Sequence, residues 1–212
     1  MSTISASFSG AQAIPDLTTI TNSLTVAGVV TTATITAITV KVNLTHTWDS
    51  DLIISLIDPD TSSVVLFNRR GGSGDNLTNT VFSDAAALTL SAGSAPFSNT
   101  FKPEAALATI YAGLINGTWK LQISDVAGLD FGTLSAWTLS ITYNDPPVFT
   151  SLGGGDTASI AIAENGVLVA LLAATDSDLP AQTLTYSITG GEDAALFQIV
   201  SGNQLRFVTA PN

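Results

Sequence analysis

The feature that most limits this chain is a side-chain period of two. In Ile38-Thr39-Val40-Lys41-Val42-Asn43-Leu44 the even positions are apolar and the odd ones polar, as a strand with one buried face requires. Trp119-Lys120-Leu121-Gln122-Ile123-Ser124 and Trp137-Thr138-Leu139-Ser140-Ile141-Thr142-Tyr143 repeat the pattern. Leu52-Ile53-Ile54-Ser55-Leu56-Ile57 is apolar on both faces, which suits a strand inside a sheet. Turn chemistry separates these runs at Asp58-Pro59-Asp60, Gly71-Gly72-Ser73-Gly74, Asn116-Gly117 and Gly132. Short strands with frequent turns predict an all-β sandwich or jelly roll. Pro103-Glu104-Ala105-Ala106-Leu107-Ala108 is the one helix candidate, good for a turn or two.

Composition narrows the function classes. With 45% hydrophobic residues in 212, the chain can bury a core as one large β domain or two ordinary ones. The net charge of −11 repels phosphate and argues against nucleic acid. The absence of cysteine excludes disulfide scaffolds, cysteine zinc sites and thiol catalysis. No run approaches the ~20 apolar residues of a membrane span. The opening MSTISASFSGAQAIPD has neither the basic nor the apolar region of a signal peptide.

A boundary falls at Asn144-Asp145-Pro146-Pro147, because two prolines stiffen a linker and cannot continue a sheet interior. Residues 1–145 are expected to form one domain and 146–212 the first part of another. Strand patterns resume at Ala158–Ile162, Val167–Leu172 and Leu184–Ile188. Some 65 residues fall short of the ~100 of an Ig-like sandwich, so the second domain is expected to be truncated, with an exposed edge.

The run His46-Thr47-Trp48-Asp49-Ser50-Asp51-Leu52 resembles a segment of the P domain (Homo B domain) of kexin- and furin-like proprotein convertases. Further elements follow in order: Asp58-Pro59 with Thr61, Asn68 through Asn76, Phe82-Ser83-Asp84, Pro96-Phe97, Gly117-Thr118-Trp119, Asp125, and Gly132-Thr133-Leu134 with Trp137-Thr138-Leu139. The resemblance covers roughly residues 14–143. It implies an eight-stranded jelly roll that packs against and stabilises a subtilisin-like protease domain, or is appended to another large exported bacterial protein. The implied location is secreted or cell-surface, and the implied partners are other domains of the same polypeptide around a monomeric chain.

The second domain is similar to a cadherin-like repeat. Asn144-Asp145-Pro146-Pro147-Val148-Phe149 resembles the opening linker, Ala163-Glu164-Asn165 the P-E-N element and Asp176-Ser177-Asp178 the D-x-D element. The resemblance implies calcium held by Asp176 and Asp178 with Asn144 and Asp145, stiffening the domain junction, and Glu164 serving the opposite junction. Calcium takes 6–8 hard oxygen ligands, and two aspartates one residue apart point the same way on an extended chain.

In the first domain Asp49, Asp51, Asp75, Asn76 and Asp84 form a second candidate calcium constellation, with carbonyls of the glycine-rich loop free to turn inward. The competing reading is a salt-bridge network in which Asp51 and Asp84 hold Arg69 or Arg70. Asp125 fits either. His46, the only histidine, continues the apolar face of its strand and reads as a core residue. A serine triad would need it as base, yet Gly71-Gly72-Ser73-Gly74-Asp75 fails the G-x-S-x-G pattern. Three function classes follow. The leading one is a non-catalytic, calcium-binding docking module. The second is a carbohydrate-binding jelly roll, for which Trp48 and Tyr111 would supply the aromatic patch. The third is a hydrolase using paired carboxylates such as Asp49 and Asp51.

Overall fold

A computed structural model describes residues 1–211. The chain divides into two compact units, one of Ser2–Asn144 and one from Asp145 onward. In the first unit the strands are β1 (Ser2–Ile14), β2 (Thr19–Val26), β3 (Thr34–His46), β4 (Leu52–Ile57), β5 (Ser63–Asn68), β6 (Leu77–Ser83), β7 (Leu88–Thr89), β8 (Thr100–Lys102), β9 (Gly117–Asp125) and β10 (Gly132–Asn144). They form two sheets, β1-β10-β3-β6-β8-β7 and β2-β9-β4-β5. Among the described residues there is no α-helix, and the unit is all-β.

The period of two places the core. Ile38, Val40, Val42 and Leu44 of β3 are buried while Lys41 is exposed. Trp119, Leu121 and Ile123 of β9 meet them from the other sheet, with Trp137, Leu139 and Ile141 of β10 alongside β3. Burying side chains of this size stabilises by roughly 2–3 kcal/mol each. Each indole N–H has an acceptor, so neither large ring strands a polar atom: Trp119 donates to the Ile115 carbonyl at 2.9 Å and Trp137 to Asn22 Oδ1 at 2.7 Å. β4 runs between β9 and β5, and this interior place accounts for its apolar residues on both faces.

The predicted helical turn lies elsewhere. Glu104 and Ala105 donate their amides to the Leu66 and Val65 carbonyls, so this stretch extends beside β5. One 3₁₀ turn forms later, at Leu107–Ile110. The Asp84 carboxylate sets its start by accepting from the Leu107 and Ala108 amides at 2.9 and 2.8 Å.

Three loops meet at one end of this sandwich. Register brings Ile14 opposite Gly132, and Gly132 opposite His46, so β1, β10 and β3 finish side by side. The β1–β2, β3–β4 and β9–β10 connections therefore leave together. Gly132 is required there, since a Cβ on it would come 2.1 Å from the Thr45 carbonyl oxygen.

From Asp145 onward the strands are short: β11 (Val148–Phe149), β12 (Leu168–Leu171), β13 (Ala174–Thr175), β14 (Phe197–Val200) and β15 (Gln204–Phe207). They pair as β11-β13 and as β12-β15-β14. Two predicted strands, Ala158–Ile162 and Leu184–Ile188, do not form. Alternation supplies one apolar face, but a strand also needs a hydrogen-bonding neighbour and a layer to cover that face. Ala170 is the only buried hydrophobic residue described in this unit.

Candidate metal centre

The β3–β4 connection carries the sequence Asp49-Ser50-Asp51 as a 3₁₀ turn. It is clamped to the glycine-rich loop by backbone bonds, from the Asp49 amide to the Gly74 carbonyl at 2.8 Å and from Ser50 to Gly72 at 3.2 Å. Gly71, at φ +91°, lies against it; a Cβ there would come 3.0 Å from the Asp49 Cβ and 2.9 Å from the Phe97 ring. The loop can close over Asp49 only because position 71 has no side chain.

Asp49 is 0% exposed. Its Oδ1 accepts from the Asn76 amide at 2.9 Å, and its Oδ2 has no hydrogen-bond partner. Burial pushes this carboxyl up to about 7; the Asn76 bond pulls it back and the Asp75 charge adds to the rise. Asn76, in the left-handed region at φ 75°, also accepts from the His46 amide through Oδ1 at 3.0 Å. Asp75 is exposed beside them.

Asp51 is buried too, and its carboxyl is raised, first by burial and then by the charges of Asp130 and Asp125, against the lowering influence of Arg69 and His46. Asp125 Oδ2 lies 3.3 Å from His46 Nε2, and both side chains are fully enclosed. His46 Nδ1 lies 2.9 Å from the Trp48 carbonyl, so the ring is held from both sides as a core histidine would be. Asp130 accepts from Thr47 Oγ1 at 2.8 Å. Its place in this group depends on the β10–β3 register; along the chain it is only one more aspartate in a turn.

Asp84 is not with them. Ser83 pairs with Thr39, seven residues along β3 from His46, or roughly 23 Å at strand rise. Its two oxygens cap the Leu107 turn. The arginines are placed differently from the salt-bridge reading as well. Arg70 grips Glu104 with Nε and Nη2 at 2.6 and 3.0 Å, and Arg69 Nε donates to the Ser50 carbonyl at 3.0 Å. The two aromatics considered for a sugar platform are also apart. Trp48 sits at the loop end, whereas the Tyr111 hydroxyl accepts from the Ile38 amide, eight residues back along β3 from His46.

In the second unit, Asp145, Asp176 and Asp178 come together. The Asp178 amide donates to Asp176 Oδ1 at 2.8 Å, so the first carboxylate of the D-x-D element is engaged by the element's own backbone. Asp178 Oδ2 accepts from the Asp145 amide at 3.2 Å and from Gln182 Nε2 at 2.9 Å, while Ser177 Oγ donates to Asp145 Oδ2 at 3.0 Å. Asn144 ends β10 opposite Thr34, and Glu164 is exposed in the turn before Gly166.

Among the described residues no three His, Asp or Glu side chains converge closely enough to hold a metal between them. A cation at Asp49 would need Asn76 or loop carbonyls to complete its shell. The donor set fits calcium in kind: every candidate atom is a hard oxygen, and one is a buried carboxylate oxygen without a partner.

Residues 35–141, just over half of the 212, match the family model of the proprotein convertase P-domain. The chain is 31% identical over 121 residues to leupeptin-inactivating enzyme 1 of Streptomyces exfoliatus, covering 57% of this chain and 22% of that protein. It is 33% identical over 104 residues to a transglutaminase-activating metalloprotease of Streptomyces mobaraensis, covering 49% and 10%. It is 30% identical over 141 residues to a calcium-dependent protease of a Nostoc species, covering 64% and 18%. The chain thus spans a quarter or less of each relative's length.

Proposed function

This chain belongs to the proprotein convertase P-domain family, and from that premise we propose that it is a non-catalytic, calcium-stabilised accessory module of an exported bacterial polypeptide that carries a protease. The observation that carries the calcium half is Asp49, whose Oδ2 is buried with no partner. A carboxylate in that position either keeps a proton or needs a cation. Calcium would supply the positive charge that leaves Asp49 ionised, held by Asp49 with Asp75, Asn76 and oxygens of the glycine-rich loop. A likeness to a calcium-dependent protease supports the same ion.

The protease half is supported by the relatives, all three named for acting on peptides or proteins, with the present chain a small part of each. The module leaves the chemistry to another domain. Its single histidine is enclosed between Trp48 and Asp125, with no hydroxyl nucleophile among its hydrogen-bond partners. Residues from Asp145 onward act as a cadherin-like spacer, in which Asp145, Asp176 and Asp178 are held by local hydrogen bonds.

Thermal unfolding in calcium and in chelator tests this reading. A ligand at 100 times its dissociation constant adds about 2.7 kcal/mol to stability. The first unit's transition is expected to rise by several degrees in calcium, and Asp49→Asn to abolish most of that rise. Superimposable melts would remove calcium from the proposal.

A further inference from the structure

The turn between β4 and β5 closes the end of β4 remote from Asp49. Asp58-Pro59-Asp60 reads in sequence as punctuation, and part of it serves that purpose. The Asp58 amide donates to the Ser62 carbonyl at 3.0 Å, the Thr61 amide to the Asp58 carbonyl at 3.1 Å, and the Ser62 amide to Asp58 Oδ1 at 2.7 Å. Asp60 Oδ2 accepts from the Leu114 amide at 2.8 Å, which ties the hairpin tip to the loop leading into β9. One oxygen is left over. Asp58 is 3% exposed, and among the described residues no donor reaches its Oδ2. A carboxylate oxygen on so enclosed a side chain ordinarily has a partner. Neither aspartate forms an ion pair among the described residues, and Lys120, opposite Ile57 on β9, bonds to neither.

Gly113 shows what that oxygen faces. A Cβ there would come 3.0 Å from Asp58 Oδ2, 3.0 Å from Asp60 Oδ2 and 3.3 Å from the Ile110 carbonyl oxygen. The φ of Gly113 is not positive, so conformation does not call for glycine at this position. Space does, because three oxygens surround the volume that a side chain would fill. Two of them are carboxylate oxygens, which repel one another at this range. The Ile110 carbonyl accepts from the Gly113 amide at 3.2 Å and keeps a second lone pair.

We infer that Asp58, Asp60 and the Ile110 carbonyl hold a calcium ion of their own, between the β4–β5 hairpin and the Leu107–Ile110 turn. The donors are hard oxygens from side chain and main chain together, and exposed Asp60 leaves room for water to complete the shell. Calcium tolerates such an irregular set, whereas magnesium demands a near-ideal octahedron. Two carboxylates are a low charge count, so the affinity belongs with extracellular modules, at ~0.1–1 mM. The ion offsets the repulsion of the pair and bridges two loops that Asp60 already joins. This site does not depend on the Asp49 reading.

Amide NMR on the isotope-labelled 212-residue chain tests it. Calcium chloride is added to about 20 mM after chelator treatment, with potassium chloride at matched ionic strength as the blank. The Ser62, Gly113 and Leu114 amides are expected to shift saturably with calcium and not with potassium. Asp60→Asn keeps an oxygen for the Leu114 amide, so it is expected to preserve the native spectrum and weaken calcium affinity at these amides about tenfold or more. Amides 62, 113 and 114 that stay still in calcium overturn the site, as does a saturation that Asp60→Asn leaves unchanged. If Asp60→Asn loses the native spectrum, Gly113→Ala, which fills the volume and removes no charge, decides by the same criterion. The Asn76 amide reports the Asp49 site separately. If it stays still while Gly113 moves, the proposed function loses its calcium and this inference stands.

Discussion

Two segments of this chain share the tripeptide Asp-Ser-Asp, and they sit in opposite conditions. At 49–51 the turn is buried under the glycine-rich loop, and Asp49 keeps one oxygen with no partner. At 176–178 the carboxylates are answered locally, by the Asp178 amide, the Asp145 amide and Gln182. One segment is short of hydrogen-bond donors, and the other is met by nearby amides, Gln182 and the Met1 amino group. The comparison teaches that an acidic motif specifies a kind of chemistry, while burial and neighbouring donors decide whether a cation is wanted.

The largest test of that contrast is pH. The Asp49 carboxyl lies at about 7 in the folded chain against an ordinary 3.8. Below 3.8 both folded and unfolded states hold the proton, and stability is at its full value. Between 3.8 and 7 only the folded state holds it, so stability falls as pH rises, and above 7 the loss is complete. The loss is on the order of a few kcal/mol. In chelator, melts from pH 4 to 8 are expected to show this component in the native chain and not in Asp49→Asn. A native profile that Asp49→Asn reproduces would break the contrast.

Next comes the glycine beneath the first turn. Gly71→Ala puts a Cβ against Asp49 and Phe97 at positive φ and is expected to destabilise by about 2–3 kcal/mol, read from the first unit's denaturant midpoint. Gly190→Ala meets nothing within 4 Å and is expected to be nearly neutral.

Asp84→Ala sharpens the contrast at smaller scale. Losing the cap on Leu107 and Ala108 is expected to cost about 1 kcal/mol. The calcium-dependent rise in melting should stay as large as before, because Asp84 is at the other end of β3. The smallest effect expected is for Asp176→Ala, about 0.5–1 kcal/mol on the second unit alone, through one lost turn bond. Hydrogen exchange at the Asp178 amide would report it.

Strand identity in the first unit was legible wherever alternation met a partner layer. β3, β9 and β10 bury the residues whose spacing announced them. The same alternation at Ala158–Ile162 and Leu184–Ile188 misled, because no neighbour pairs with those segments. The Pro103–Ala108 turn misled for a related reason: free β5 carbonyls captured the Glu104 and Ala105 amides. For the candidate site, Asp49 and Asn76 could be named in advance, since both border turns. Asp130 could not, because only register places it beside Thr47.

By itself the sequence determined an all-β chain, the face each main strand buries, and a P-domain likeness spread through ordered short motifs. These are local properties, set by side-chain period and turn chemistry. Tertiary structure alone decided which aspartates share a site and which act as caps. It also decided that one oxygen of Asp49 is buried without a partner. Such outcomes depend on register and on what closes over a residue, and a carboxylate's energy changes by several kcal/mol with that environment while its letter stays the same.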